Sequence, residues 1–249
     1  MKNHSIHASA NVAPDAIVGD YSVVHENCEI GCGCIIGSGV ILHANTKLGI
    51  GITVFDHAVL GRPPKRVGGM TRAVAHDLPP LSIGDGCVVG AGAVIYQGTT
   101  IGQNCLLGHL CSIREQCVIG DDCIIARLVT INYETHIGNK VKVMDNTHLT
   151  GNMVIEDGVF ISVLVSTTND NSMDREKNPS SHFGGPIIRR GASIGASAVL
   201  LPGVTIEEFA VVASGAVVNR DVPARKIAAG NPARALKDVP TEWIPTEYR

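Results

Sequence analysis

His109, Arg127 and Asp145 stand eighteen residues apart, an imidazole, a guanidinium and a carboxylate at one fixed interval. Ser112, Thr130, His148 and Ser166 repeat that interval with hydroxyls and a second imidazole. If eighteen residues make one winding of the chain, each set becomes a ladder of neighbours. Side chains of these types hold charge and can orient or take up a proton on what lies against them. The two ladders converge on Met144-Asp145-Asn146-Thr147-His148, which is the candidate site. The competing reading is a solvated row of paired charges, with Asn146 only a turn residue.

The interval follows from a shorter one. Aliphatic residues recur at every sixth position, in one register from Val18 to Leu60, a second from Ile83 to Ile161 and a third from Ile188 to Val218. A period of six is neither helical nor simple strand alternation, and it reads as a coil of short strands, a β-solenoid. After the aliphatic residue comes a small one, often Gly. Two positions later stands Gly, Asn or Asp, as at Asn27, Gly39, Asn104, Asp122, Asn146 and Gly203, the types that tolerate a left-handed backbone. The next position is small and should face inward with the aliphatic one. About thirty hexads, three to a winding, give about ten coils and a prism roughly 45 to 50 Å long at the ~4.8 Å strand spacing.

Composition agrees with one folded domain. The 249 residues are 45% hydrophobic but only 4% aromatic, with 28 Gly, which suits a narrow interior. A net charge of -3 gives no support to nucleic-acid or membrane partners. The start has no long apolar run and no stretch reaches the ~20 residues of a membrane span, so a cytoplasmic location is expected. Of eight cysteines, seven occupy the small inward position and are expected to be buried thiols; Cys32 alone falls at an outward turn. Two polar interruptions, 61–82 and 169–186, break the register and read as functional loops or surface excursions. The expected organisation is a solenoid over 1–222 and an extension over 223–249.

The hexads, the stretches Val159-Phe160-Ile161-Ser162 and Thr167-Thr168-Asn169-Asp170, the block Gly191-Ala192-Ser193-Ile194-Gly195-Ala196, and the ending Asp221-Val222-Pro223 with Gly230-Asn231-Pro232-Ala233-Arg234 resemble the left-handed β-helix acyltransferases. They are most similar to the branch that N-acylates nucleotide-linked amino sugars in making bacterial surface glycans. The resemblance covers almost the whole chain. It implies an all-β, left-handed parallel β-helix with two inserted loops and a short C-terminal extension. It also implies a homotrimer with sites between prisms, and transfer from acetyl-CoA or another acyl-CoA.

In that family, branches acting on sugar hydroxyls carry a His in a Thr-x-x-His pattern before the second loop. Here the stretch reads Thr167-Thr168-Asn169-Asp170, without it. A hydroxyl needs a base, whereas an amine of pKa ~7.7 to 8.0 is already partly neutral at pH 7. The departure favours an amine acceptor. The similar N-acetyltransferases carry Gln-Asn where this chain has Met144-Asp145, so Asp145 inherits the amine-orienting position with a carboxylate that can orient the ammonium, accept its proton, or both. His148 is the second candidate base, and His109, Arg127 and Asn146 are candidates for substrate binding. Coenzyme A is expected along the carboxy-terminal coils, beside the small residues Ala196, Ala213 and Ser214, with Arg220, Lys226 and Arg234 for its phosphates. The loop cations Arg62, Lys65, Arg66 and Arg72 are weaker candidates for a substrate diphosphate.

Three rivals are open to comparison. A γ-class carbonic anhydrase needs a three-His zinc set that this chain lacks, and no tightly bound metal is expected. A sugar O-acetyltransferase would use His148 or His182 as an essential base. A structural solenoid would need no acyl donor.

Overall fold

The computed structural model describes residues 3–68, 70, 72–75, 77–173, 175 and 184–248. His182 lies outside them. The chain winds as a left-handed parallel β-helix whose three faces are stacks of mostly two-residue strands. Face A runs from Ser5–Ile6 to Val217–Val218, face B from Asn11–Val12 to Thr205–Ile206, and face C from Ile17–Val18 to Lys226–Ala229. Among the described residues the faces contain eleven, ten and twelve strands, the twelfth being an antiparallel closing strand on face C.

The register is the one the hexads predict. Thr130 pairs with His148 and His148 with Ser166, one winding of eighteen residues each time. Each strand turns its second, aliphatic residue inward, and these form one continuous core with the small residues two positions before them. The six residues named above at the predicted Gly, Asn or Asp turn positions have φ between 54° and 70°. Seven cysteines are buried and Cys32 is exposed. The buried thiols are more than small apolar fillers. Cys34, Cys87, Cys105 and Cys123 each donate to a corner carbonyl of the next coil at 3.1 Å, as the Thr99 and Thr147 hydroxyls do at 2.8 Å. The inward position thus takes Cys or Thr because it also has a carbonyl to satisfy.

Both insertions leave from face A and return on face B, at the A/B corner. Across the first, Val59 pairs with Val94; across the second, Val154 pairs with Ile187. The first excursion is shorter than its compositional bounds. The strand Val59–Arg62 continues through a bulge at Gly61, whose φ of 74° suits glycine, and pairing resumes at Ser82–Ile83. The segment is packed down: Val74, Leu78 and Leu81 are buried, and Gly98 N donates to Pro79 O at 2.8 Å.

At the carboxy end, Lys226–Ala229 continues face C in parallel with Val211–Val212, and Arg234–Asp238 then pairs with it antiparallel. The tail packs Val239 and Ile244 on Phe209, a small separate cluster that covers the last coils. Among the described residues no helix is long and apolar enough to cross a membrane.

Candidate active site

The C/A corner is a single ladder. Its outward corner residues include Asp56, Ala91, His109, Arg127, Asp145, Val163, Ala196 and Ser214, in consecutive coils. The carbonyl of each up to Ala196 accepts from the left-handed residue of the coil above: Leu128 N to His109 O at 3.0 Å, Asn146 N to Arg127 O at 3.0 Å, Leu164 N to Asp145 O at 3.1 Å, and Gly215 N to Ala196 O at 2.8 Å. The predicted acceptor residues and the small residues predicted to pass coenzyme A therefore share one edge. Ala213 sits just inside it, its amide bonded to Ala228 O at 2.8 Å.

Within this ladder Asp145 is gripped from below. Its Oδ1 accepts the Arg127 amide at 3.1 Å and the Arg127 Nε at 2.8 Å. The hydrogen bond from Arg127 and its positive charge hold the Asp145 carboxyl below the ordinary carboxylate range. A carboxylate held ionised in this way is a poor proton acceptor near neutrality but a good electrostatic anchor for an ammonium. His109 Nδ1 accepts the Ala91 amide at 2.8 Å, which assigns the ring proton of the neutral form to Nε2. The same side-chain bond to the amide one coil below is made on this corner by Asp56 and on the B/C corner by Asp85, Asp121 and Asn139. His109 and Asp145 thus close the corner of the solenoid as well as face solvent.

His148 projects from face A, just past this corner. Its Nδ1 lies 2.7 Å from Thr130 Oγ1, one coil below in the predicted column. The ring is half-buried, and burial lowers its pKa below the usual imidazole value, so it is neutral at pH 7 and able to accept a proton. Asn146 stands between the two sites as the left-handed corner residue, with φ 59°.

Beside the ladder, face C carries a groove of about 320 Å³ that hexad reading did not anticipate. Val88, Leu106 and Ile124 form its floor, with Phe55, His109, Arg127, Met144 and Asp145 around it. Phe55 leans toward His109, with ring centroids 5.8 Å apart. The available signal was Phe55 itself, a large aromatic at the position after the aliphatic residue where most coils have a small one.

The predicted phosphate-binding cations do not converge. Arg234 pairs with Ala229 at the C/A corner, and its Nη1 bonds Ala233 O at 2.7 Å and reaches Asn219 Oδ1, just past the last face A strand, at 3.3 Å. Lys226 is at the other end of the same strand, on the B/C corner, paired with Asp238 at 2.6 Å. Arg220 follows face A at the A/B corner and is exposed. Only Arg234 of the three shares the ladder edge, because the three follow different faces of the last winding.

The loop cation Arg72 is likewise placed elsewhere. It pairs with Glu115 on the A/B corner and lies 3.5 Å over the Tyr133 ring. Glu115 is fully buried and also accepts from Arg114 at 2.9 and 3.1 Å. Burial would raise its pKa, but the hydrogen bonds and charges of Arg114, with the charge of Arg72, bring it below the ordinary value. Arg72 is thus a latch for the first loop, in place of the expected diphosphate contact. A larger groove of about 580 Å³ lies at the B/C corner, but its Arg189 is paired with Glu156 at 2.6 Å and Glu207 and Glu208 line it too. Its four carboxylates, Glu156, Asp157, Glu207 and Glu208, outnumber its two guanidiniums, and it lies away from the ladder.

Known proteins can be set beside this geometry. The bacterial transferase hexapeptide family (six repeats) matches residues 98–132, and the hexapeptide repeat of succinyl-transferase matches 80–109 and 187–220. The dTDP-3-amino-3,6-dideoxy-alpha-D-galactopyranose 3-N-acetyltransferase of Aneurinibacillus thermoaerophilus is 52% identical over 52 residues, 21% of this chain and 27% of that protein. A Schizosaccharomyces pombe protein named as an acetyltransferase matches over 33% of its own length, so the chain spans about a quarter to a third of these two relatives. A Staphylococcus aureus (strain COL) protein named as an acetyltransferase is 30% identical over 134 residues, 48% of this chain and 67% of that one. In fold, the chain is similar to the Arabidopsis UDP-N-acetylglucosamine acyltransferase, with a TM-score of 0.67 at 19% identity, covering 96% of this chain and 75% of that one. From the repeats, the three-faced winding and these likenesses, the chain belongs to the hexapeptide-repeat acetyltransferase family.

Proposed function

We propose that this protein transfers an acyl group, acetyl being the simplest, from acyl-CoA to the amine of a nucleotide-linked amino sugar in the cytoplasm, for a bacterial surface glycan. The observation that carries the reading is the continuity of the C/A edge: small residues at Ala196, Ala213 and Ser214 lead along one ladder to an ionised Asp145 beside a neutral His148. The local similarity to a 3-N-acetyltransferase supports an amino sugar as acceptor.

In this reading Asp145 orients the ammonium, and the proton leaves to water or to His148. The amine lone pair attacks the thioester carbonyl, a tetrahedral oxyanion forms, and its collapse expels the coenzyme A thiolate, which takes up the second nitrogen proton as the amide is made. The residues fit coenzyme A as co-substrate at the small-residue edge, with Arg234 the cation placed for its phosphates. A second reading, O-acetylation, draws on one observation: the burial that keeps His148 neutral also suits it to deprotonate a hydroxyl.

A homotrimer fits the same edge. Leu110, Leu128 and Leu164 occupy left-handed corner positions with φ of 58° to 59° and are 59%, 47% and 54% exposed. Each such backbone costs roughly 1–2 kcal/mol for a residue other than glycine. Three exposed leucines held at that cost along the candidate site suit an edge covered by a second copy.

The test is thiol release from acetyl-CoA with nucleotide-linked amino sugars and their hydroxyl counterparts, repeated with Asp145→Asn and His148→Ala. Turnover of amine acceptors, impaired in Asp145→Asn, is expected. Turnover of hydroxyl acceptors alone, lost in His148→Ala, would replace the amine reading by the second one.

A further inference from the structure

The inward edge of the C/A corner is lined by small residues in nearly every coil, as at Gly37, Gly90, Gly108 and Ala126. Phe55 and Met144 depart from this pattern and stand at the two ends of the face C groove. They are four coils apart, about 19 Å at the strand spacing. At the Phe55 end the groove offers a ring that is 45% exposed, tilted against the His109 imidazole. One coil beyond His109 is Arg127, 67% exposed, and one coil further is Asp145. Arg127 commits Nε to Asp145, which leaves the four N–H donors of its two Nη groups for a ligand.

Read along the groove, the order is aromatic, cation, carboxylate. A ligand that matches it carries a flat ring, then an anion, then a cation. Stacking on an exposed aromatic ring recognises any nucleobase, and a guanidinium is suited to phosphate oxygens. We infer that Phe55, with His109, is the stacking platform for the base of a nucleoside diphosphate sugar lying along face C, its diphosphate at Arg127 and its ammonium at Asp145. The inference rests on the function proposed above and adds a direction to it: base toward the amino-terminal coils, amine toward the coenzyme A end. It also gives the coil that carries Phe55 a task beyond acyl transfer.

The experiment is calorimetric titration of the intact protein with dTDP, UDP and inorganic pyrophosphate, for wild type, Phe55→Ala, Phe55→Trp and Arg127→Ala. Wild type is expected to bind a nucleoside diphosphate at least tenfold more tightly than pyrophosphate. Phe55→Ala should abolish that ratio, Phe55→Trp should restore it, and Arg127→Ala should weaken all three ligands. Because Phe55 is half-exposed, its variants are expected to melt with wild type, and the ratio is measured within each variant. Equal binding of nucleotide and pyrophosphate by wild type, or a ratio unchanged in Phe55→Ala, overturns the inference. If thiol release with amine acceptors persists in that case, the transfer reading stands and only the base subsite falls. A Phe55-dependent ratio without transfer to any amine leaves the subsite standing and removes the transfer reading.

Discussion

The Asp145 carboxylate accepts both the amide and the Nε of Arg127, the residue one full winding before it, through a single oxygen. The amide bond is structural, since Asn139 makes its equivalent to the Asp121 amide at 2.8 Å with a neutral side chain. The Nε bond is the part that needs a charge. Asp145→Asn should therefore keep the corner and shift stability by no more than ~1 kcal/mol, as for an exposed ion pair. Its kcat/KM for an amine acceptor should fall about 10–100-fold, the range for one lost charged contact to the reacting group. Thermal unfolding and steady-state kinetics on the same preparation separate the two. A large loss of stability with unchanged kinetics would make Asp145 a corner residue only.

His148 supplies a pH signature. Burial lowers its folded pKa, so between that value and the unfolded ~6.5 the unfolded chain binds the extra proton. The stability from its neutral ring is complete above about pH 6.5 and is lost as pH falls toward the folded pKa. If the ring accepts the substrate proton, the acid limb of kcat/KM lies below about pH 6.5 in wild type and is absent in His148→Ala. An identical pH profile in the two proteins would leave proton removal to water.

Arg72 and Glu115 hold the first inserted loop to the A/B corner. Arg72→Ala leaves the buried carboxylate with Arg114 alone and should cost about 1.5–3 kcal/mol, the range for a hydrogen bond to a charged group. Because the folded pKa of Glu115 is lowered, its contribution is present above the unfolded ~4.3 and is lost as pH falls through the folded value. Limited proteolysis should accordingly cut segment 63–81 faster in Arg72→Ala, and faster in wild type at pH 4 than at pH 7. A cleavage rate unaffected by the substitution would show that Val74, Leu78 and Leu81 hold the loop without the ion pair.

Leu128 tests the covered edge. Leu128→Gly removes a left-handed backbone cost of roughly 1–2 kcal/mol and should raise the stability of the protomer. If a second copy covers this edge, the same substitution weakens assembly. Light scattering during size-exclusion chromatography should show a trimer in wild type and dissociation of the variant at low concentration. A variant that is more stable and equally trimeric would place the subunit contact on another edge.

Much of the fold was legible because a solenoid turns sequence distance into vertical distance. Once the hexads set eighteen residues to a winding, the pairing of Thr130 with His148 and the ladder from His109 to Asp145 followed by arithmetic. Residue type did the rest locally, with Gly, Asn and Asp at left-handed corners and Cys or Thr where an inward donor meets a carbonyl. The same method was silent about Leu110, Leu128 and Leu164, since leucine carries no turn signal of its own. It was also silent about where an inserted loop lands, so Arg72 was expected at a phosphate and lies on Glu115.

The periodic part of this protein was determined by its sequence alone, because each hexad meets the same demands: an apolar residue inward, a small donor beside it, and a left-handed corner between. The tertiary structure decided everything that depends on the direction and reach of individual side chains. Only there does Arg127 grip Asp145, Phe55 lean on His109 to bound a groove, and Arg220, Lys226 and Arg234 part to three different corners. A repeat places residues in a column, whereas a site needs atoms brought within hydrogen-bonding or stacking distance, and that depends on rotamers, insertions and chain ends that have no period.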